Sequence, residues 1–165
     1  QGGIGLRALV RTALRMRADR IIVGEVRGEE VLDMLQAMNV GHDGSLTTMH
    51  ANSPQDALRR MEALALMGDG GLPREAVREM IGSAVQLIVQ LMRFRDGSRR
   101  IVSIAEVQAG DQGPQAVELY RFQVQQTQAD GSIFGAHQPT QQRPRFMERA
   151  RTLGFACAGA DSDAA

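Results

Sequence analysis

The stretch Arg20-Ile21-Ile22-Val23-Gly24-Glu25-Val26-Arg27-Gly28 constrains this chain more than any other. A run of β-branched residues without polar alternation predicts a parallel strand covered on both faces, and a glycine and a carboxylate follow where it leaves the sheet. Ligands of open α/β sheets collect at that edge. A glutamate held there can accept a proton from an attacking water or hold a hydrated Mg²⁺. An ordinary strand followed by a solvated turn would be written the same way, so the surrounding residues decide between the two.

Before this stretch, Leu6, Leu9, Val10, Ala13 and Leu14 recur on one helical face, while Arg7, Arg11 and Arg15 share another. That basic stripe is expected to face solvent or, alternatively, to lend a guanidinium group to phosphate. After Gly28, Val31, Leu32, Leu35 and Met38 predict a second helix stopped by Gly41, with Glu29 and Glu30 complementing the dipole of its first turn. The segment from His42 to Pro54 reads as another buried strand with a histidine at each end. His50, like Glu25, is expected to emerge at the C-terminal edge of a parallel strand, and two polar groups converging there suit phosphoryl transfer. Two readings compete: a structural histidine, and a metal site begun by His42-Asp43, which needs further ligands for which His137 is poorly suited.

Ser53-Pro54 with Asp56 announces a helix whose apolar face is Ala57, Leu58, Met61, Leu64 and Ala65. Gly68 to Gly71 is a loop, and Pro73 opens a further helix with Val77, Met80, Ile81 and Ala84 inside. Strands follow at Val85 to Met92 and Arg100 to Val107, joined by the turn Arg95-Asp96-Gly97-Ser98. Val117 to Phe122 and Ser132 to Phe134 are further short strands separated by a glutamine-rich loop, and Pro144 to Leu153 is a short closing helix. Residues 1–156 form one domain, an α/β fold, and 157–165 a disordered tail. The methionines fall at core-type helix positions and are expected to pack rather than to form a binding surface.

Charge excludes little but points somewhere. Basic and acidic residues balance at 19 each, and scarce aromatics argue against nucleic acid as a partner. All of the positive charge is arginine, so a phosphate-binding loop of the Walker type, which needs lysine, cannot be drawn from these residues. The single Cys157 excludes an intrachain disulfide and fits a reducing compartment.

Leu14 to Gly28, Asp33 to Asn39 and Gly41 to Asn52 together closely resemble the type II/IV secretion ATPases, with the Tad/Flp pilus assembly (CpaF-like) branch as the nearest match. The resemblance is dense from Leu6 to Val107 and thinner to the end, where Arg143 to Arg149 looks like the family's closing helix. It implies a partial RecA-like P-loop NTPase core, a mostly parallel sheet flanked by helices, followed by a C-terminal antiparallel hairpin and short helix. It also implies that Gly24-Glu25 is the Walker B segment, with Glu25 the catalytic carboxylate and a contact to Mg²⁺ through water. His42 to His50 becomes the histidine box, in which His50 faces the γ-phosphate and His42 supports the box. Gly24, Glu25 and Arg27 then line the nucleotide. The cofactors implied are ATP and Mg²⁺, and the partners are five further copies in a homo-hexamer and the inner-membrane platform proteins of the machinery. The expected location is the cytoplasm, peripheral to the inner membrane.

Ala18 stands where the family usually has proline, and Val40 where it usually has threonine. With the Walker A half and its lysine absent from these residues, the chain is expected to be the C-terminal portion of a motor that binds ATP only weakly by itself. A catalytically silent interaction module, or a subunit remnant of such a motor, is the alternative reading; a nucleic-acid motor fragment is a third.

Overall fold

The structure is a computed structural model that describes residues 3–68 and 71–155. Helix α1 (Leu6–Arg15) leads to strand β1 (Ile22–Val23), helix α2 (Glu30–Asn39) and strand β2 (Leu46–Thr47). Helices α3 (Pro54–Met67) and α4 (Arg74–Ala84) follow. Strands β3 (Leu87–Arg93), β4 (Arg99–Gly110), β5 (Gly113–Thr127) and β6 (Ile133–Pro139) come next, and helix α5 (Phe146–Thr152) closes the chain. The disordered tail expected at 157–165, and part of the Gly68 to Gly71 loop, lie outside the described residues.

The sheet is not mostly parallel. β1 and β2 make a two-stranded parallel ladder, and the other four strands form a separate antiparallel sheet in the order β3-β4-β5-β6. Nor is β1 covered on both faces. Ile21 and Val23 turn inward and are 6% and 5% exposed, whereas Ile22 is 73% exposed beside its cross-strand partner Leu46 at 61%. Two strands cannot shield both faces when helices pack on one only.

The core lies between the helices and the strand ends. Val10, Val31, Met34, Leu35, Leu58, Met61, Val77 and Ile81 form its centre with Val23, Val26 and Val107. The expected helix faces are the buried ones in α3, where Ala57, Leu58, Met61, Leu64 and Ala65 all point inward. Its start is set by Ser53, whose Oγ accepts from the Asp56 amide at 3.1 Å, with Pro54 supplying a first residue that needs no amide partner. In α1 only Val10 is fully buried, and Leu9 is half exposed. The methionines divide: Met34 and Met61 are in the core, while Met16 and Met67 are exposed.

Of the arginine stripe of α1, Arg7 and Arg11 are paired within the fold, while Arg15 is exposed. Arg7 donates from Nε to Asp33 Oδ2 on α2 and Arg11 from Nε to Oδ1, both at 2.7 Å, and Arg7 also reaches Glu29 at 2.8 Å. Asp33 is 3% exposed, so the pair of guanidinium groups is what lets a carboxylate sit in that interface.

The turn after β3 forms as its residues require, with Gly97 at φ +83° and the Asp96 carboxylate accepting from the Ser98 amide at 2.9 Å. The glutamine-rich segment is strand rather than loop: β5 continues to Thr127 because β6 supplies its partners, pairing Gln126 with Phe134 and Thr127 with Ile133. At the end of the chain the buried Glu106 accepts from the amides of Arg145 and Phe146 at 3.0 and 2.9 Å, holding the start of α5 to β4. No helix among the described residues is long and apolar enough to cross a membrane.

Candidate active site

The parallel pairing of β1 and β2 brings two sequence-distant residues to one edge. Beyond the strands the ladder continues, with the Val26 amide donating to Thr48 O at 3.0 Å and Thr48 Oγ to Gly24 O at 2.5 Å. Glu25 and His50 therefore emerge side by side. Glu25 Oε1 lies 3.1 Å from His50 Nε2, and Oε2 accepts from Arg27 Nη2 at 2.5 Å. The carboxylate is recessed, its side chain 25% exposed, while Arg27 and His50 stand on the solvent side at 74% and 84%.

The turn that carries Arg27 is itself anchored. Glu30, in the first turn of α2, accepts from the amides of Arg27 and Gly28 at 2.6 and 3.0 Å through one oxygen. Burial tends to raise the Glu30 carboxyl, but these backbone donors outweigh it and hold it below its ordinary value. Glu25 is also held below its ordinary value. The hydrogen bond from Arg27 does most of this, against partial burial, and the charges of Arg27, His50 and Arg60 add to it.

Oε1 of Glu25 is buried and, although His50 is close, has no hydrogen-bond donor. A recessed carboxylate beside the exposed Arg27 guanidinium suits a polyanion accompanied by a hydrated metal ion. Approach is open, since a side chain added at the exposed Gly24 would meet nothing within 4 Å. The residues present thus fit a nucleotide with Mg²⁺.

His42 is not part of this cluster. It precedes β2, at the ladder end opposite to His50, where its Nδ1 lies 3.2 Å from Ala37 O at the end of α2. Its own carbonyl accepts from Ser45 Oγ at 2.8 Å, and that hydroxyl accepts from the Ile21 amide at 2.9 Å. His137 lies on β6, its Nε2 2.9 Å from Ile101 O and its ring edge-on to Phe122.

Two residues near the edge were not singled out by their sequence pattern. Thr48 is the clasp between Gly24 and Val26, and a β-branched hydroxyl residue two positions before the histidine was its only signal. Arg60 approaches Glu25 from α3 and makes no hydrogen bond or ion pair among the described residues beyond that attraction. Nothing local marks it, because its nearness to Glu25 depends on where α3 packs in the tertiary structure.

Residues 1–149 match the type II/IV secretion system protein family, and the chain belongs to it. A Mycobacterium tuberculosis (strain ATCC 25618 / H37Rv) protein named for conjugal transfer is 47% identical over 119 residues, 72% of this chain and 33% of that protein. The conjugal transfer protein TrbB of Rhizobium radiobacter is 42% identical over 96 residues, 58% of this chain and 28% of its own length. The fold is similar to the crystal structure of the VirB11 ATPase from the Brucella suis type IV secretion system in complex with sulphate. There the TM-score is 0.59 and identity 31%, over 62% of this chain and 32% of that one. The chain spans about a third of the length of the curated relatives it matches.

Proposed function

We propose that these residues are the Walker B and histidine-box part of a homo-hexameric ATPase that powers transport or assembly at a type II/IV secretion machinery. The observation that carries the reading is the meeting of Glu25 and His50 at one strand edge, 3.1 Å apart, with Arg27 beside them. Glu25 polarises the attacking water. His50 faces the γ-phosphate, Arg27 contacts phosphate, and Gly24 lets the nucleotide approach the backbone. Mg²⁺, when bound, would supply charge neutralisation at the phosphate oxygens, with Glu25 as the residue that would hold it through water. His42 acts at a distance from the chemistry, fixing the start of β2.

The similarity to a sulphate-bound VirB11 ATPase supports an oxyanion-binding role. Relatives named for conjugal transfer and type IV secretion support a role in such a transport machinery; in this reading the motor sits on the cytoplasmic side, docked to inner-membrane platform proteins. Within that range, Tad/Flp pilus assembly is the branch that the Arg20 to Gly28 and Gly41 to Asn52 stretches resemble. In the full-length protein, Glu25→Gln is expected to lower turnover ~10²-fold while nucleotide affinity stays within a few-fold, the scale for loss of a positioned base. Near-normal turnover would overturn the assignment.

A further inference from the structure

We propose that Arg27 is a positioning residue that exchanges partners: it pins Glu25 in the arrangement described above and moves onto the terminal phosphate of a nucleoside triphosphate, freeing the carboxylate to engage water. This deepens the ATPase reading and rests on it. One oxygen of Glu25 is taken by Arg27 at 2.5 Å, and the other is buried without a donor. Arg27 and His50, far more exposed than Glu25, stand on the solvent side of the recessed carboxylate. A carboxylate bonded to guanidinium is a poor base, so the bond has to open before Glu25 can act.

The geometry allows that opening to be confined to one side chain. The backbone of Arg27 and Gly28 is tied to Glu30 through two amides, so the turn stays while the guanidinium swings. The guanidinium is 74% exposed, and an ion pair with so exposed a partner is readily given up for an anion of higher charge. A terminal phosphate offers that charge, and oxygens that match the planar fork of arginine. His50 and Arg60 remain near Glu25 after Arg27 leaves, so the freed carboxylate still has positive charge nearby.

The test measures binding to the full-length protein by calorimetry, with Mg²⁺ and either a non-hydrolysable ATP analogue or ADP. Arg27→Ala is expected to weaken the analogue about tenfold and ADP less than about twofold, since only the analogue carries the terminal phosphate. Glu25→Gln is expected to tighten the analogue about threefold because its competition for Arg27 is gone, and the double variant should lose that gain. Arg27→Lys, which keeps the charge but not the fork, should recover analogue binding in part. Equal losses for both nucleotides, or tightening by Glu25→Gln that survives without Arg27, would overturn the exchange. If those couplings are absent while Glu25→Gln still abolishes turnover, only the exchange falls. Undiminished turnover in Glu25→Gln removes the ATPase reading beneath it.

Discussion

His50 and His42 bracket β2 and meet opposite environments, which separates their roles. The His50 side chain is 84% exposed, and its neighbour is the recessed carboxylate of Glu25. His50→Ala is therefore expected to cut hydrolysis in the full-length protein while folding stability moves by about half a kcal/mol or less. His42 is half-buried against Ala37 O, so His42→Ala should cost about 1 kcal/mol of stability and leave turnover per folded molecule nearly intact. Thermal melts beside phosphate release decide the matter, and a stability loss at His50 with unchanged turnover would reverse the two roles. Thr48 belongs to the same scale: its hydroxyl closes the ladder at Gly24 and so sets where Glu25 points.

At the scale of elements, buried carboxylates join helices that periodicity alone describes one at a time. Asp33 ties α1 to α2 through Arg7 and Arg11, and it is fully inside the interface. Asp33→Ala should lower stability by about 2 kcal/mol in urea titration, less than for a wholly buried triad because Arg11 can turn to solvent. Loss at that level should come with early exchange of the α1 amides; unchanged protection there would count against the tie. Glu62 does the same for α3 and α4. It accepts from Arg74 and, at 3.1 Å, from Arg78. Burial tends to raise its carboxyl, but the two guanidinium groups outweigh it and hold it below its ordinary 4.5. A carboxyl depressed on folding stabilises above its unfolded value, and that contribution is lost as pH falls through the folded value. Stability is thus expected to fall as pH drops below about 4.5, and Glu62→Gln should flatten this slope and cost about 1 kcal/mol at neutral pH. An identical acid limb in the variant, followed by circular dichroism, would remove Glu62 from that transition.

For the whole molecule, the exposed pair Ile22 and Leu46 is the consequence of a ladder only two strands wide. Flat apolar strand surface of this kind promotes association. The 165-residue chain is expected to self-associate at micromolar concentration, and Ile22→Glu with Leu46→Arg should shift it toward monomer in sedimentation velocity. Both side chains are exposed, so the double variant should retain its melting temperature within a few degrees. Association that persists unchanged would place the contact elsewhere, with the half-exposed Leu87, Val89 and Leu91 of β3 as the next surface to alter.

What the residues determined by themselves is local or nearly so. The inward face of α3, its Ser53-Pro54 start, the turn at Asp96-Gly97 and the emergence of Glu25 after an apolar strand are short-range properties of backbone geometry and spacing. They were legible because each is complete within about a dozen neighbours. The contacts between elements were decided by the tertiary structure. Arg7 and Arg11 look like a solvated stripe until α2 brings Asp33 against them. His42 looks like a site residue until the ladder direction puts it at the far end from His50. The glutamines of β5 look like a loop until β6 supplies their hydrogen-bond partners. In each case what decides is a pairing between elements, made through backbone or charge, which leaves no periodic mark on the sequence that receives it.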